Sequence, residues 1–144
     1  MNGNINHKLV ALDSNIFIYN LEENLEFVKF TDIIFQNLSA NKLKATTSIL
    51  SLTEILSYPK TESVVKEITS DFFSTPNLLV LEVNREVALE AARIRRKYAY
   101  RLPDSIQLAT ALVTKATAFI TNDSRLKRFK ELKIILTKDL TIES

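Results

Sequence analysis

Five short apolar runs, separated by stretches of helical spacing, constrain this chain more than any other feature. The runs cover 8–12, 42–47, 78–83, 117–121 and 133–137. Strands kept apart by helices cannot pair through tight hairpins, so each returns by a crossover and the sheet becomes mainly parallel, covered on both faces. Helical spacing is predicted over 14–21, 25–38, 48–57, 61–73, 84–98 and 104–115, with a short basic helix over 124–132. Tyr58-Pro59 stops the third helix, Pro76 closes the fourth, and Pro103 sits where a first turn tolerates it. The stretch after Asp104 is apolar on nearly all sides, which predicts a buried helix. At 144 residues, with no repeat, linker or low-complexity segment, the expectation is one domain spanning 1–144.

Absent residue types narrow the chemistry. The chain has no Cys, no Trp, one Gly (Gly3) and one His (His7). Thiol nucleophiles and thiolate zinc sites are excluded, and a His-based triad is disfavoured. Phosphate-binding loops need several glycines where the backbone approaches its ligand, so they are excluded too. Any catalysis must rest on carboxylates, most naturally around an oxygen-preferring cation such as Mg²⁺ or Mn²⁺. No run reaches the roughly 18 apolar residues of a membrane span and no signal pattern opens the chain, so a soluble cytoplasmic protein is expected.

Net charge is +2, but unevenly spread. From Arg93 to Asp139 twelve Lys/Arg stand against four Asp/Glu, and elsewhere seven stand against thirteen. A basic region beside an acidic one suits a polyanion guided to a metal-holding site, although solvated helix faces produce the same pattern.

Four acids occupy unusual positions. Asp13 ends the first apolar run and Asp123 follows the fourth, while Asp104 opens a buried helix and Glu54 interrupts an otherwise uncharged one. In open α/β sheets, ligands bind beyond the carboxyl ends of the strands. Four carboxylates sharing one cleft would require a cation to remain ionised together. Taken singly, Asp13, Asp104 and Asp123 also fit helix caps, because Ser14, Ser105 and Ser124 open helical segments. Ser51-x-x-Glu54 likewise matches a capping box.

The joint pattern of Leu12-Asp13-Ser14-Asn15-Ile16-Phe17-Ile18-Tyr19, Thr53-Glu54-Ile55-Leu56, 101–111 (Arg-Leu-Pro-Asp-Ser-Ile-Gln-Leu-Ala-Thr-Ala) and Thr121-Asn122-Asp123 resembles the PIN-domain family, and within it the VapC-type toxin ribonucleases. The resemblance runs from about Lys8 to about Thr137. It implies a three-layer α/β/α sandwich on a five-stranded parallel sheet in the order 3-2-1-4-5. It also implies Mg²⁺ or Mn²⁺ held by Asp13, Glu54, Asp104 and Asp123, and cleavage of single-stranded RNA to 3′-hydroxyl and 5′-phosphate ends. The implied partners are an RNA substrate, a cognate antitoxin that occludes the site, and a second copy in a homodimer. Three departures stand out: Ser14 where Thr is common, Ser105 for a frequent Ala, and Gln107 where many relatives carry His, a change that could alter substrate contacts.

On this reading the reaction is metal-assisted phosphodiester hydrolysis. Ser14 and Asn122 are expected to orient ligands or water, or else to serve as cap and turn residues. Arg95, Arg96 and Arg101 are expected to contact RNA phosphates, with surface ion pairing as the alternative. Tyr98 and Tyr100 fit core packing better than base stacking. Three rival readings are a receiver-like phosphoacceptor domain, a non-catalytic PIN-like binding module, and a housekeeping RNA-processing nuclease.

Overall fold

β1 (Leu9–Leu12) shows why the chain layers as it does. Val10 and Leu12 point into one apolar cluster and Ala11 into another. β4 (Ala118–Thr121) repeats the pattern, with Ala118 and Ile120 on the first side and Phe119 on the second. Successive strand residues face opposite ways, so a strand apolar at every position must be covered twice. Residues 4–5 and 8–140 are described in the computed structural model, and His7 lies outside them.

The first cover comes from α1 (Ser14–Leu21), α2 (Val28–Ser39) and α4 (Glu62–Phe73), through Phe17, Ile34, Leu38 and Phe72. The second comes from α5 (Arg85–Tyr98) and α6 (Leu102–Val113), through Val87, Ile94 and Leu108. Between the covers lies a five-stranded parallel sheet completed by β2 (Lys44–Ser48), β3 (Leu78–Leu81) and β5 (Lys133–Leu136). Its order is β3-β2-β1-β4-β5, the α/β/α arrangement expected. Receiver-like folds carry the order 2-1-3-4-5, so that rival reading falls. Among the described residues no helix is long and apolar enough to cross a membrane.

Three local expectations need correction. Helix α2 begins at Val28 rather than at Leu25, because Asn24 Oδ1 accepts from the Glu26 and Phe27 amides and turns the chain there, leaving Leu25 exposed. The basic helix at 124–132 is a single 3₁₀ stretch, Ser124–Arg128, after which the backbone extends at Phe129. Phe129 packs 4.9 Å from the Tyr98 ring and Glu131 binds Arg93, contacts that a continuing helix would not deliver. Finally, α3 is short (Leu50–Ile55), and the Ser48 hydroxyl accepts from the Leu50 amide at its start.

With its one glycine at Gly3, the chain builds left-handed turns from other residues: Glu23, Asn41, Asn77, Ala99 and Lys115. Ala99, at φ 59°, caps α5 and redirects the chain into α6. A Cβ in this region costs about 1 kcal/mol, which glycine avoids. Ala99→Gly is therefore expected to stabilise the fold by about 1 kcal/mol, raising Tm by about 3 °C in thermal denaturation.

Candidate active site

The four acids arise from elements around the middle of the sheet. Asp13 follows β1, Asp123 follows β4 by two residues, Glu54 sits on α3 just after β2, and Asp104 lies in the first turn of α6. Parallel register sets their relations. Leu12 pairs with Ile120, so Asp13 and Thr121 come side by side. The Thr121 hydroxyl donates to Asp13 Oδ2 at 2.7 Å, and the Ser14 amide donates to Oδ1 at 2.8 Å. Asn15 Nδ2 approaches both Asp13 Oδ2 and the Thr121 hydroxyl at 3.4 Å.

Asp13 is 6% exposed and has no cationic partner among the described residues. Burial pushes its carboxyl up to about 6; the Thr121 and Ser14 hydrogen bonds oppose the rise, and the charges of Asp104 and Glu54 add to it. Both neighbours are thus close enough to be felt. Glu54 is half-buried, and its carboxylate makes no hydrogen bond or ion pair among the described residues. The capping-box reading of Ser51 fails, because the helix already begins at Leu50 and the Ser51 hydroxyl faces inward. It meets the Thr47 hydroxyl at 2.7 Å and receives Gln107 Nε2 at 2.8 Å. Thr47 in turn donates to the Leu12 carbonyl at 2.8 Å. This buried chain of hydrogen bonds joins the three elements that carry Asp13, Glu54 and Asp104. Gln107 is 2% exposed and belongs to that floor, out of reach of a substrate.

Asp104 and Asp123 are held differently. Asp104 is no cap, since the residue in that place is Arg101; instead Arg101 Nε reaches Asp104 Oδ2 at 3.2 Å. Asp123 does cap the 3₁₀ stretch, accepting the Arg125 amide. The Arg125 guanidinium then folds back on the same carboxylate: Nε lies 2.9 and 3.1 Å from its two oxygens, and Nη2 binds Oδ2. These bonds hold the Asp123 carboxyl below its ordinary range. Nη2 also stands 3.6 Å from Asp104 Oδ2. Among the described residues no three acids are drawn together as a metal cage. The donor set nevertheless suits a hard cation, because all four groups are carboxylates and the most buried of them lacks a counter-charge.

Of the expected supporting residues, Ser14 is buried against Asp13 through its amide, whereas Asn122 donates its side chain to the Tyr19 hydroxyl at 3.0 Å and its backbone amide to Asn15 Oδ1 at 3.3 Å, and hydrogen-bonds none of the acids. Arg95 and Arg96 are exposed on α5. Tyr98 and Tyr100 are buried and stacked at 5.6 Å, as core residues. Sequence reasoning passed over Thr121, Asn15 and Arg125. Thr121 was recoverable from the pairing of the two strand ends, and Asn15 from its place two residues after Asp13. Arg125 carried no signal beyond its charge.

The PIN domain family model matches residues 10–132, and the chain belongs to that family. In solved structures the fold resembles a toxin–antitoxin complex from Klebsiella pneumoniae, at 20% identity and TM-score 0.69, covering 89% of this chain and 97% of that one. It also resembles VapBC2 from Rickettsia felis bound to a promoter DNA fragment, at 17% identity and TM-score 0.70, covering 89% and 98%. A third likeness is DNA-bound VapBC from Salmonella typhimurium, at 18% identity and TM-score 0.69, covering 90% and 98%. No curated protein matches the chain.

The raised Asp13 value sets a pH signature. The folded form binds this proton more tightly than the unfolded chain, so the group destabilises the ion-free protein increasingly as pH rises from about 4 to about 6, and fully above that. Thermal melts in EDTA should show Asp13→Asn gaining about 1 kcal/mol on the wild type between pH 5 and pH 7.5. A pH-independent difference would contradict the burial argument.

Proposed function

We propose that this chain is a metal-dependent endoribonuclease acting as the toxin of a type II toxin–antitoxin pair. The observation that carries the reading is Asp13: a buried carboxylate without a cationic partner, next to two further carboxylates, beyond the carboxyl end of a central strand. Membership of the PIN family and the likeness to toxin–antitoxin complexes support it.

Asp13, Asp104 and Asp123 would hold Mg²⁺ or Mn²⁺, with Glu54 joining them directly or orienting water. When bound, the ion supplies Lewis acidity for hydrolysis and offsets charge on the phosphoryl oxygens. Thr121 and Asn15 both donate to Asp13 Oδ2 and so restrict the orientation of the carboxylate. Arg95, Arg96 and Arg101 would bind backbone phosphates beside the scissile bond, as forked guanidinium groups do. A concavity of about 890 Å³ beside β5 is lined by Lys127, Lys130 and Lys133 together with Glu131 and Asp139. The partners proposed are single-stranded RNA, a cognate antitoxin and a second copy of the chain, all in the cytoplasm.

Sequencing RNA 5′-phosphate ends after brief induction tests the reading in cells, with Asp104→Asn as control. New ends at one or a few sites, absent with the variant, are the expected outcome. With purified protein, EDTA should abolish cleavage, and Asp13→Asn or Asp104→Asn should lower kcat at least ~100-fold. RNA binding without metal-dependent cleavage would leave a non-catalytic binding module instead, and ends confined to precursor RNA would mark a housekeeping nuclease.

A further inference from the structure

Two of the four acids already carry a cation that belongs to the chain. Arg125 reaches both oxygens of Asp123 and stands 3.6 Å from Asp104. Its guanidinium also feels the charge of Asp13. The side chain nevertheless stays 59% exposed, so nothing packs it into this position except the acids. The segment bearing it is held firmly from behind. The Tyr100 hydroxyl donates to the Arg125 carbonyl at 3.4 Å, and Leu126 and Phe129 are buried. The backbone is anchored while the guanidinium is free to leave.

We propose that Arg125 is a built-in stand-in for the divalent cation: it closes Asp104 and Asp123 in the ion-free protein and is handed to an RNA phosphate when an ion enters. The proposal rests on the ribonuclease reading above. Both carboxylate oxygens of Asp123 are engaged by Arg125, so an ion ligated by that carboxylate displaces the guanidinium. Exchange of a single positive charge for a double one, among three carboxylates, favours the ion. A displaced guanidinium on an exposed, anchored stem is left at the rim of the cleft. There it matches the bidentate geometry of a phosphate, which a lysine would not reproduce. Metal and RNA then bind cooperatively, because each removes a partner that Arg125 or the acids would otherwise keep.

Binding measurements separate this from a plain surface ion pair. Mn²⁺ affinity would be measured by calorimetry on the intact wild type, Arg125→Gln and Arg125→Lys. The affinity of a 2′-O-methyl single-stranded RNA, which resists cleavage, would be measured with and without Mn²⁺. Arg125→Gln should bind Mn²⁺ roughly fivefold more tightly than the wild type, the scale of an exposed ion pair. The gain in RNA affinity caused by Mn²⁺ should shrink about threefold or more in that variant. Arg125→Lys should regain part of the competition with Mn²⁺ and little of the coupling. Equal or weaker Mn²⁺ binding by Arg125→Gln would overturn the proposal while leaving the ribonuclease reading intact, and so would undiminished coupling. Failure of both the wild type and Arg125→Gln to take up Mn²⁺ would overturn the metal-site reading itself, and this proposal with it.

Discussion

A charge in a place nearly closed to water governs this molecule. Asp13 terminates a strand that must be apolar to be buried twice, and the same register that buries it sets it beside Thr121. A buried carboxylate without a partner is among the costlier groups a small domain can hold. The hydroxyl, the amide and the Asn15 side chain around it reduce that cost without removing it. Removing it needs a cation, and the nearby Arg101 and Arg125 are paired with Asp104 and Asp123 rather than with Asp13.

The arrangement below the acids is as informative as the acids. Gln107, Ser51, Thr47 and the Leu12 carbonyl make one continuous run of hydrogen bonds through the interior. Polar groups so enclosed restrict each other's geometry, because a broken link leaves an unpaired group in a low-dielectric setting. The three elements bearing Asp13, Glu54 and Asp104 are thereby tied in fixed relation before any ligand arrives. A loose acidic patch on the surface would lack this preorganisation.

Most of the fold was legible because its cause is local. Apolar runs at 8–12 and 117–121 could be nothing but strands covered on both faces, and the order of the sheet followed from the resemblance. One error fell where a distant contact decided the outcome, and another where a local turn did. The basic stretch after Ser124 ends early because Phe129 and Glu131 are claimed by Tyr98 and Arg93 on α5. Leu25 falls outside α2 because one asparagine turns the chain locally. At the site, the acids were legible from their places at strand and helix ends, yet their partners were not. The Asn122 side chain bonds Tyr19, and only its backbone amide reaches toward Asp13, through Asn15. Arg125 was one cation among many in composition, and only the fold brings it onto Asp123.

The clasp behind the 3₁₀ stretch bears on time as well as place. Glu131 is held by Arg93, Lys97 and the Tyr98 hydroxyl, and Arg128 lies over the Tyr100 ring while binding the Tyr98 carbonyl. Opening a lid would mean breaking that clasp and moving backbone, a process of microseconds to milliseconds. A single exposed side chain changing rotamer takes picoseconds to nanoseconds. On the Arg125 proposal, access to the acids is set by side-chain motion rather than by backbone opening, and the cleft comes to equilibrium with its surroundings long before any slow step of turnover begins.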